Sequence, residues 1–438
     1  MRKQKMIAAV LVILVLQCVW AAAAVSAKTE TLKNSILEYI AETTPTPDVS
    51  TIGGEWAVLC LARGGYYTAD APYFGAYTAR VAETVRQIAR PDGALHRAKS
   101  TENSRLILAL TAIGADVQTV GGVNLLQPYA NTDWIGKQGS NGYAFALLAL
   151  DSKPYDDTFS TVRTTCVENL LTRQTADGGW TLSGDKAETD LTAMVLQSLY
   201  PYREDAAVAA AAARGFAALS ALQKTDGTFS GSCESAAQVV TACCTWKIDP
   251  DTDARFVKTG GSAWDGLCAF YLPQSGGFAH SKGDTEPDAM ATEQGGYAVV
   301  AYDRFLNGQT ALYDMSDVTV QPAAPTTVPT VPTTQQTATQ TTAETEPSAA
   351  TTTETTSANA ATEVPETADR TTHPRTTVPE TTTAQPMEPT AATVTQSAST
   401  AATPQTGEQS SVPAALAVLV LAVGVFGWEL RRKRAKTI

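Results

Sequence analysis

Four acidic residues stand at similar places along the first two thirds of the chain, each just before an alanine-rich apolar run: Glu188, Asp190, Glu234 and Glu293. Two carboxyl groups that face each other across a cleft are the groups that cleave glycosidic bonds. An acidic residue before an apolar run also favours a helix N-cap, because its carboxylate accepts hydrogen bonds from free backbone N–H groups. The pattern therefore leaves open a catalytic role, with Asp190 and Glu188 as the candidates, and the simpler role of helix caps.

Metal chemistry finds little support in the pattern of histidines and cysteines. His96 and His280 follow glycine-containing turns instead of opening apolar helices. A zinc-dependent enzyme needs three such ligands around one metal. The sequence predicts neither a metal site nor a cofactor.

Seven cysteines are present, and Cys18 lies in the N-terminal apolar run. Most of the others lie inside apolar runs, which predicts buried thiols; a bridge between distant helices is the alternative. These six are Cys60, Cys166, Cys233, Cys243, Cys244 and Cys268.

A short repeated motif, called the phrase below, precedes each acidic position. It consists of Gln, then Gly, then an aromatic or aliphatic residue. The copies are 87–95, 138–143 (ending at Tyr143), 174–180, 223–229 and 274–278. Their glycines accept positive φ, and the aspartate that precedes several of them bonds nearby backbone. The glutamine is expected to bond backbone of the adjacent copy, and the aromatic residue to fill the gap between copies.

The last three copies are about 50 residues apart, which suits two helices and two loops. Inner helices are expected to open at Glu102, Glu188, Glu234 and Glu293. Helix pairs of this kind bury their apolar faces only by stacking, and about six of them can close into a ring. The predicted fold is all-α, a closed α/α toroid over residues 28–316; an open solenoid is the alternative.

The repeats resemble a known family of α/α toroids. The glutamine-tryptophan motif of terpene cyclases is matched in its second half by Gln174, Gly178 and Trp180, and more loosely by Arg214, Gly215, Leu219, Gln223, Gly227 and Phe229. The family includes squalene-hopene cyclase, protein prenyltransferase β subunits and cobalamin carriers of the transcobalamin type. Bacterial surface proteins with prenyltransferase/squalene-oxidase repeats are the nearest resemblance.

The resemblance also implies where chemistry would occur. The cyclases place their proton donor in an Asp-x-Asp-Asp-Thr-Ala segment, and the matching run here is residues 188–193. Asp190 stands at the donor position, but Leu191 replaces the neighbouring aspartate, which argues against cyclisation. A corrinoid is one candidate ligand, although the cobalamin carriers close over it with a second β domain that this sequence does not predict.

The favoured hypothesis is a surface-displayed toroid that binds a small molecule or an extracellular partner without catalysis. The expected ligand contacts lie at the ring mouth, and packing between repeats is the alternative for the aromatic ones. They are Tyr143, Trp180, Asp190, Phe229, Glu234, Phe278 and Glu293. A toroid enzyme, either terpenoid cyclase-like or glycan-cleaving, is the main alternative, and a structural adhesin is the third.

The two ends of the chain predict export and anchoring. Residues 1–27 are typical of a signal peptide, and residues 317–411 form a Thr/Pro-rich segment that predicts a disordered stalk. The stalk ends in a motif that resembles a sortase sorting signal, Thr403, Pro404, Gln405, Thr406 and Gly407, within 403–408. A transmembrane helix is predicted at 412–430 and a basic cytoplasmic tail at 431–438.

The expected location is therefore the cell surface, with the toroid outside and either peptidoglycan or the cytoplasmic membrane as the anchor. The net charge of −12 argues against nucleic acid as a partner, because phosphate binding requires clustered Lys and Arg. The protein is expected to be a monomer.

Overall fold

The computed structural model describes residues 24–155 and 157–320, and this part of the chain is mostly helical. Its α-helices are α1 (24–43), α2 (Glu55–Arg63), α3 (Pro72–Ile88), α4 (Ser100–Ala112), α5 (Thr132–Gly136), α6 (Gly139–Asp151), α7 (Ser160–Thr172), α8 (Thr189–Leu199), α9 (Ala206–Leu222), α10 (Cys233–Thr245), α11 (Ala263–Cys268) and α12 (Ala289–Leu306). Short antiparallel strands pair β1 (Val257–Lys258) with β2 (Gly261–Ser262) and β3 (Tyr271–Leu272) with β4 (Gly277–Phe278). The predicted all-helical class is confirmed.

The even-numbered helices form a ring. In chain order α2 contacts α4, α4 contacts α6, and so on to α12, which in turn contacts α2. Nearly every residue of α2, α4, α6 and α10 is buried, as expected for helices that are covered on all sides. The first and last helices of the ring are therefore neighbours in space although far apart in sequence.

The remaining helices pack outside this ring. Helix α7 lies against α6, α9 against α8, and α11 against α10. Helix α3 buries Phe74, Tyr77, Val81 and Val85, which follow a helical stripe along one face. Helix α1 packs on α12, where a Cβ at Gly296 would stand 3.0 Å from atoms of Ile36 and Ile40, residues on α1.

Aromatic side chains fill part of the ring interior. Trp56 of α2 contacts Phe145 of α6 with ring centroids 6.1 Å apart, and Tyr297 of α12 at 5.6 Å. Helices α2 and α6 are separated in the ring by α4, so a contact between them crosses the interior. This part of the ring is a packed core and not an open mouth.

The repeated phrase forms the same turn in four of its five copies, whereas in the 138–143 copy Gly142 lies inside helix α6 and forms no such turn. The glycines have φ between +86° and +93°: Gly93, Gly178, Gly227 and Gly276. At Gly227 a Cβ would also come within 2.2 Å of the Ser262 carbonyl oxygen. Asp177 and Asp226 accept hydrogen bonds from nearby backbone N–H groups. The predicted glycine turn is confirmed.

Glutamines of the phrase connect neighbouring repeats. Gln174 Nε2 donates to the carbonyl of Gly178 in its own turn at 2.7 Å and to that of Ala211 on α9 at 2.8 Å. Gln223 Nε2 repeats the arrangement with its own turn at 3.1 Å and with the carbonyl of Phe256 at 2.9 Å. The predicted link between copies is confirmed at these two positions.

Residues 309–318, the closing segment, cross the end of the ring at which the inner helices finish. Asp317 accepts a hydrogen bond from Arg63 at 2.7 Å and one from Arg304 at 2.7 Å. The backbone N–H of Met315 donates to the carbonyl of Ser152 at 2.8 Å. These partners lie at the ends of α2, α12 and α6, so the contacts of the ring extend past residue 316.

Three inner helices begin earlier than the sequence predicted. Helix α10 is capped by Ser232, whose hydroxyl accepts from the N–H of Ser235 at 3.2 Å, and α12 by Asp288, whose carboxylate accepts from Ala291 at 2.9 Å. Glu234 and Glu293 therefore lie inside their helices, and their predicted role as helix openings is wrong. Helix α4 likewise begins two residues before its predicted start. Helices α10 and α12 begin earlier than predicted because Ser232 and Asp288, upstream of the predicted starts, are good N-cap residues.

The six cysteines of the helical region are free, and all but Cys268 are buried, so the prediction of buried thiols is confirmed. Within 24–155 and 157–320, no helix is both long enough and apolar enough to cross a membrane. Most of the predicted signal peptide, the sorting motif, the transmembrane helix and the basic tail lie outside the described residues.

Candidate functional site

A cleft of about 540 Å³ opens where α6, α8 and α10 begin. Its polar wall is formed by Asn141 of α6, by Glu188 and Asp190 at the start of α8, and by Ser235 of α10. Concave sites with a few convergent polar groups on an apolar surface are where proteins commonly hold small molecules. This cleft is the candidate functional site.

Asp190 is the second residue of α8 and does not cap it. Glu188 occupies the N-cap position, and α8 has no capping hydrogen bond from a side chain. The Oδ1 atom of Asp190 is buried and has no hydrogen-bond partner. Of the roles that the sequence left open for Asp190, the helix cap is therefore ruled out, because the residue stands too far into the helix and its side chain lines the cleft instead.

The surroundings of Asp190 disfavour its ionised form. Burial raises the pKa of this carboxyl above its ordinary value, and the charges of Glu234 and Glu188 raise it further. Contact with the Ser235 hydroxyl acts in the opposite direction. No cation is among the groups that act on Asp190, so its negative charge lacks compensation within the described residues.

A second unpartnered acceptor lies across the cleft. The Oδ1 atom of Asn141 is buried and makes no hydrogen bond. A buried acceptor that has lost its hydrogen bond to water without gaining another costs roughly 1–3 kcal/mol. The cleft wall thus contains two buried acceptors without a partner in the chain, Oδ1 of Asp190 and Oδ1 of Asn141.

The two remaining acidic residues at this end of the ring already have partners. Glu188 accepts a hydrogen bond from the backbone N–H of Leu182 at 3.1 Å. Glu234 lies against His280, with Nδ1 of the imidazole 2.9 Å and 3.0 Å from its two carboxylate oxygens. That hydrogen bond raises the pKa of His280 above its ordinary value. The structure thus brings three of the four candidate acidic residues together, Glu188, Asp190 and Glu234, and leaves Glu293 apart from them.

The cleft also has an apolar wall. Leu191 and Met194 of α8 line it, together with Leu182 and Leu222. Leu182 is 66 % exposed and Leu222 38 % exposed, unusually open positions for leucine. Exposed leucines beside a cleft are typical of a surface that is covered when a ligand binds.

The aromatic residues proposed as ligand contacts lie elsewhere. Trp180, Phe229 and Phe278 are fully buried between helices, and the Trp180 indole donates to the Leu170 carbonyl at 2.7 Å. The Tyr143 hydroxyl lies close to Gly136 in α5, on the outer side of α6. None of the four lines the cleft, and their positions agree with packing between repeats.

Glu293 belongs to a different group, the buried acid cluster, which we define as Glu55, Tyr77, Arg105 and Glu293. Gly53 donates its backbone N–H to Glu293 Oε1 at 2.7 Å, while Oε2 has no partner. Both carboxylate oxygens of Glu55 are buried without a hydrogen bond, and so is the Tyr77 hydroxyl.

Burial dominates the electrostatics of this cluster. It raises the pKa of Glu55 to about 8 and that of Glu293 to about 7. The nearest positive charge is Arg105, whose Nε is 3.7 Å from Glu55 Oε2. Arg105 is also bound by Glu102 at 2.5 Å and so only partly compensates Glu55. Sequence reasoning missed Glu55 as a site residue, although an acidic residue that opens an apolar run was a visible signal.

Among the described residues, no group of three or more His, Cys, Asp or Glu side chains is arranged to hold a metal ion. No protein-family model matches the chain, and no curated protein matches it either. The chemistry of the cleft is therefore the evidence from which a function can be argued.

Proposed function

We propose that this chain is an α/α toroid of the kind its repeats resemble, and that it binds a small organic molecule in the cleft without transforming it. The observation that carries the proposal is the pair of buried, unpartnered acceptors, Oδ1 of Asp190 and Oδ1 of Asn141, in one cleft of about 540 Å³. A ligand that donates hydrogen bonds to both would remove a cost of roughly 1–3 kcal/mol for each.

Binding without catalysis is favoured by how the acidic groups are used. Glycoside cleavage requires a second carboxyl group that is free to act as base or nucleophile. Glu234 is occupied by His280, and Glu188 is exposed and bound by the Leu182 N–H. Leu191 follows Asp190 where a cyclase-type acid has its supporting aspartate.

An enzyme is the second candidate, and one observation favours it. Burial and like charge raise the pKa of Asp190 in a cleft, and this is how proteins prepare a general acid. In that case a substrate, not a stable ligand, would occupy the cleft.

The proposed location is the cell surface. It is supported by the sequence alone, through the signal-like first 27 residues and the Thr-Pro-Gln-Thr-Gly run that precedes an apolar segment and basic residues. A cleft on an exported head would meet molecules of the cell exterior.

The decisive experiment equilibrates the purified full chain with an extracellular metabolite mixture and identifies retained compounds by mass spectrometry. Wild type and the control Glu286→Gln, an exposed residue far along the chain from the cleft, are expected to retain the same compound. Asp190→Asn is expected to lose it. Retention that is unchanged in Asp190→Asn would contradict the proposal, and conversion of the compound by wild type but not by Asp190→Asn would favour the enzyme.

A further inference from the structure

The charges that line the cleft are all negative. Glu188 and Asp190 are among its lining residues, and no lysine, arginine or histidine is. Glu234 adds a third carboxylate close enough to raise the pKa of Asp190. A bound anion would meet these carboxylates, whereas a cation would favour the ionised form of Asp190 that burial disfavours.

Two cations in the segment after β4 are already paired. His280 is bound to Glu234, and Lys282 is paired with Asp226 at 3.0 Å. Lys224 directs its ammonium group toward the loop at Gly231 and is absent from the cleft wall. Since no side-chain cation is among the described residues that line the cleft, a cationic ligand would supply one next to Asp190.

The hydrogen-bonding groups in the cleft match one kind of cation. A primary ammonium group has three N–H donors and no acceptor. The cleft offers the free oxygens of Asp190 and Asn141, and beside them the hydroxyl groups of Ser230 and Ser235. A guanidinium group would need more acceptors in one plane. A quaternary ammonium group has no N–H donor and would leave the acceptors of the cleft without a hydrogen bond.

The apolar wall indicates the body of the ligand. Leu191 and Met194 lie one helical turn apart on α8, and Leu182 and Leu222 stand at the rim with large exposed fractions. Together they form a surface for an aliphatic chain next to the polar end of the cleft.

We propose that the ligand of this cleft is an aliphatic primary amine in its ammonium form, with the ammonium group bound by Asp190 and Asn141 and the aliphatic body on Met194, Leu182 and Leu222. This inference rests on the proposed function, since it names the ligand class of the same cleft. The ammonium group satisfies both unpartnered acceptors at once and supplies the missing positive charge.

Three probes of equal chain length test the inference: hexylammonium, 1-hexanol and hexanoate. Each is titrated calorimetrically into the full chain at neutral pH. Hexylammonium is expected to bind at least about 10-fold more tightly than hexanol, because a charge-assisted hydrogen bond adds roughly 1.5 kcal/mol or more. Hexanoate is expected not to bind.

Variants then locate the binding. Asp190→Asn is expected to weaken hexylammonium about 10- to 100-fold and to leave hexanol unchanged, since it removes the charge but keeps the shape. The control Glu286→Gln should leave all three affinities unchanged. Circular dichroism and a thermal melt of Asp190→Asn check that the fold is retained.

Equal affinity for hexylammonium and hexanol would overturn the inference about charge and leave the proposed binding function standing. Undiminished binding of hexylammonium by a folded Asp190→Asn would place the amine outside the cleft and also overturn it. If none of the probes binds, the inference fails, and the retention experiment described above decides the proposed function separately.

Discussion

Replacing Glu55 by glutamine should make the stability of the helical ring much less dependent on pH. Burial raises the pKa of Glu55 from 4.5 to about 8. Between these values the folded chain keeps a proton that the unfolded chain has released. The contribution of Glu55 to stability is therefore complete at low pH and is lost as the pH rises through 8. At about 1.4 kcal/mol per pKa unit, the loss between pH 5 and pH 9 is about 4 kcal/mol.

Urea unfolding at pH 5, 7 and 9 measures this effect. At pH 5 the Glu55→Gln variant should match wild type closely, because a protonated carboxyl and an amide are similar in shape and charge. At pH 9 it should be the more stable by about 4 kcal/mol, since no buried charge has to form. A smaller slope remains in the variant because burial also raises the pKa of Glu293, to about 7. The exposed control Glu286→Gln should follow wild type at every pH.

The reasoning would be refuted if Glu55→Gln and wild type lost stability with pH at the same rate. It would also fail if the variant were less stable than wild type at pH 9. That result would mean that Glu55 is ionised in the folded chain and that its pairing with Arg105, at 3.7 Å, outweighs the cost of burial.

Three further perturbations test the turns, the links between repeats and the closing segment. Gly227→Ala should lower the free energy of unfolding, measured in urea, by about 3 kcal/mol or more, because the cost of positive φ and the cost of a clash with backbone add together. Gly283 also has positive φ but has open space around it, so Gly283→Ala should lower the free energy of unfolding by only about 1–2 kcal/mol. Gln223→Leu should lower the thermal midpoint through a loss of about 1–3 kcal/mol, since two backbone carbonyls lose their donor. A chain that ends after residue 316 should be cleaved by protease faster than one that ends after residue 320. Removing Asp317 leaves two buried arginines without their carboxylate, which should lower the free energy of unfolding by about 3 kcal/mol or more. Equal protection of the two chains, or equal losses in the two glycine variants, would contradict these expectations.

The repeated turn could be predicted from sequence because its determinants are local. The glutamine, the glycine and the aromatic residue of each phrase lie within a few positions of one another. The positive φ of Gly178 and Gly227 follows from that local pattern. Even the link from Gln174 to the next repeat was predictable, since the repeat spacing brings the same groups together each time.

The site was less predictable because its geometry depends on distant segments. Glu55 and Glu293 are separated by more than half of the described chain and interact only because α12 packs on α2. Asp190 lies only two positions after the N-cap of α8, and an apolar pattern does not define the start of a helix that finely. The burial of Trp180 follows from packing against Gly215 and Leu196, which no spacing rule fixes.

The closing segment also decides how the ring responds to mechanical load. The described chain leaves the ring through residues 309–318, so a pull applied from the C-terminal side first meets the contact between the Val318 carbonyl and Lys153 and then the two ion pairs of Asp317. Asp317 passes that tension to Arg63 on the first inner helix and to Arg304 on the last, the two helices at which the ring closes. Force on this end is therefore shared between α2 and α12, where the ring closes, and does not separate one repeat from the next.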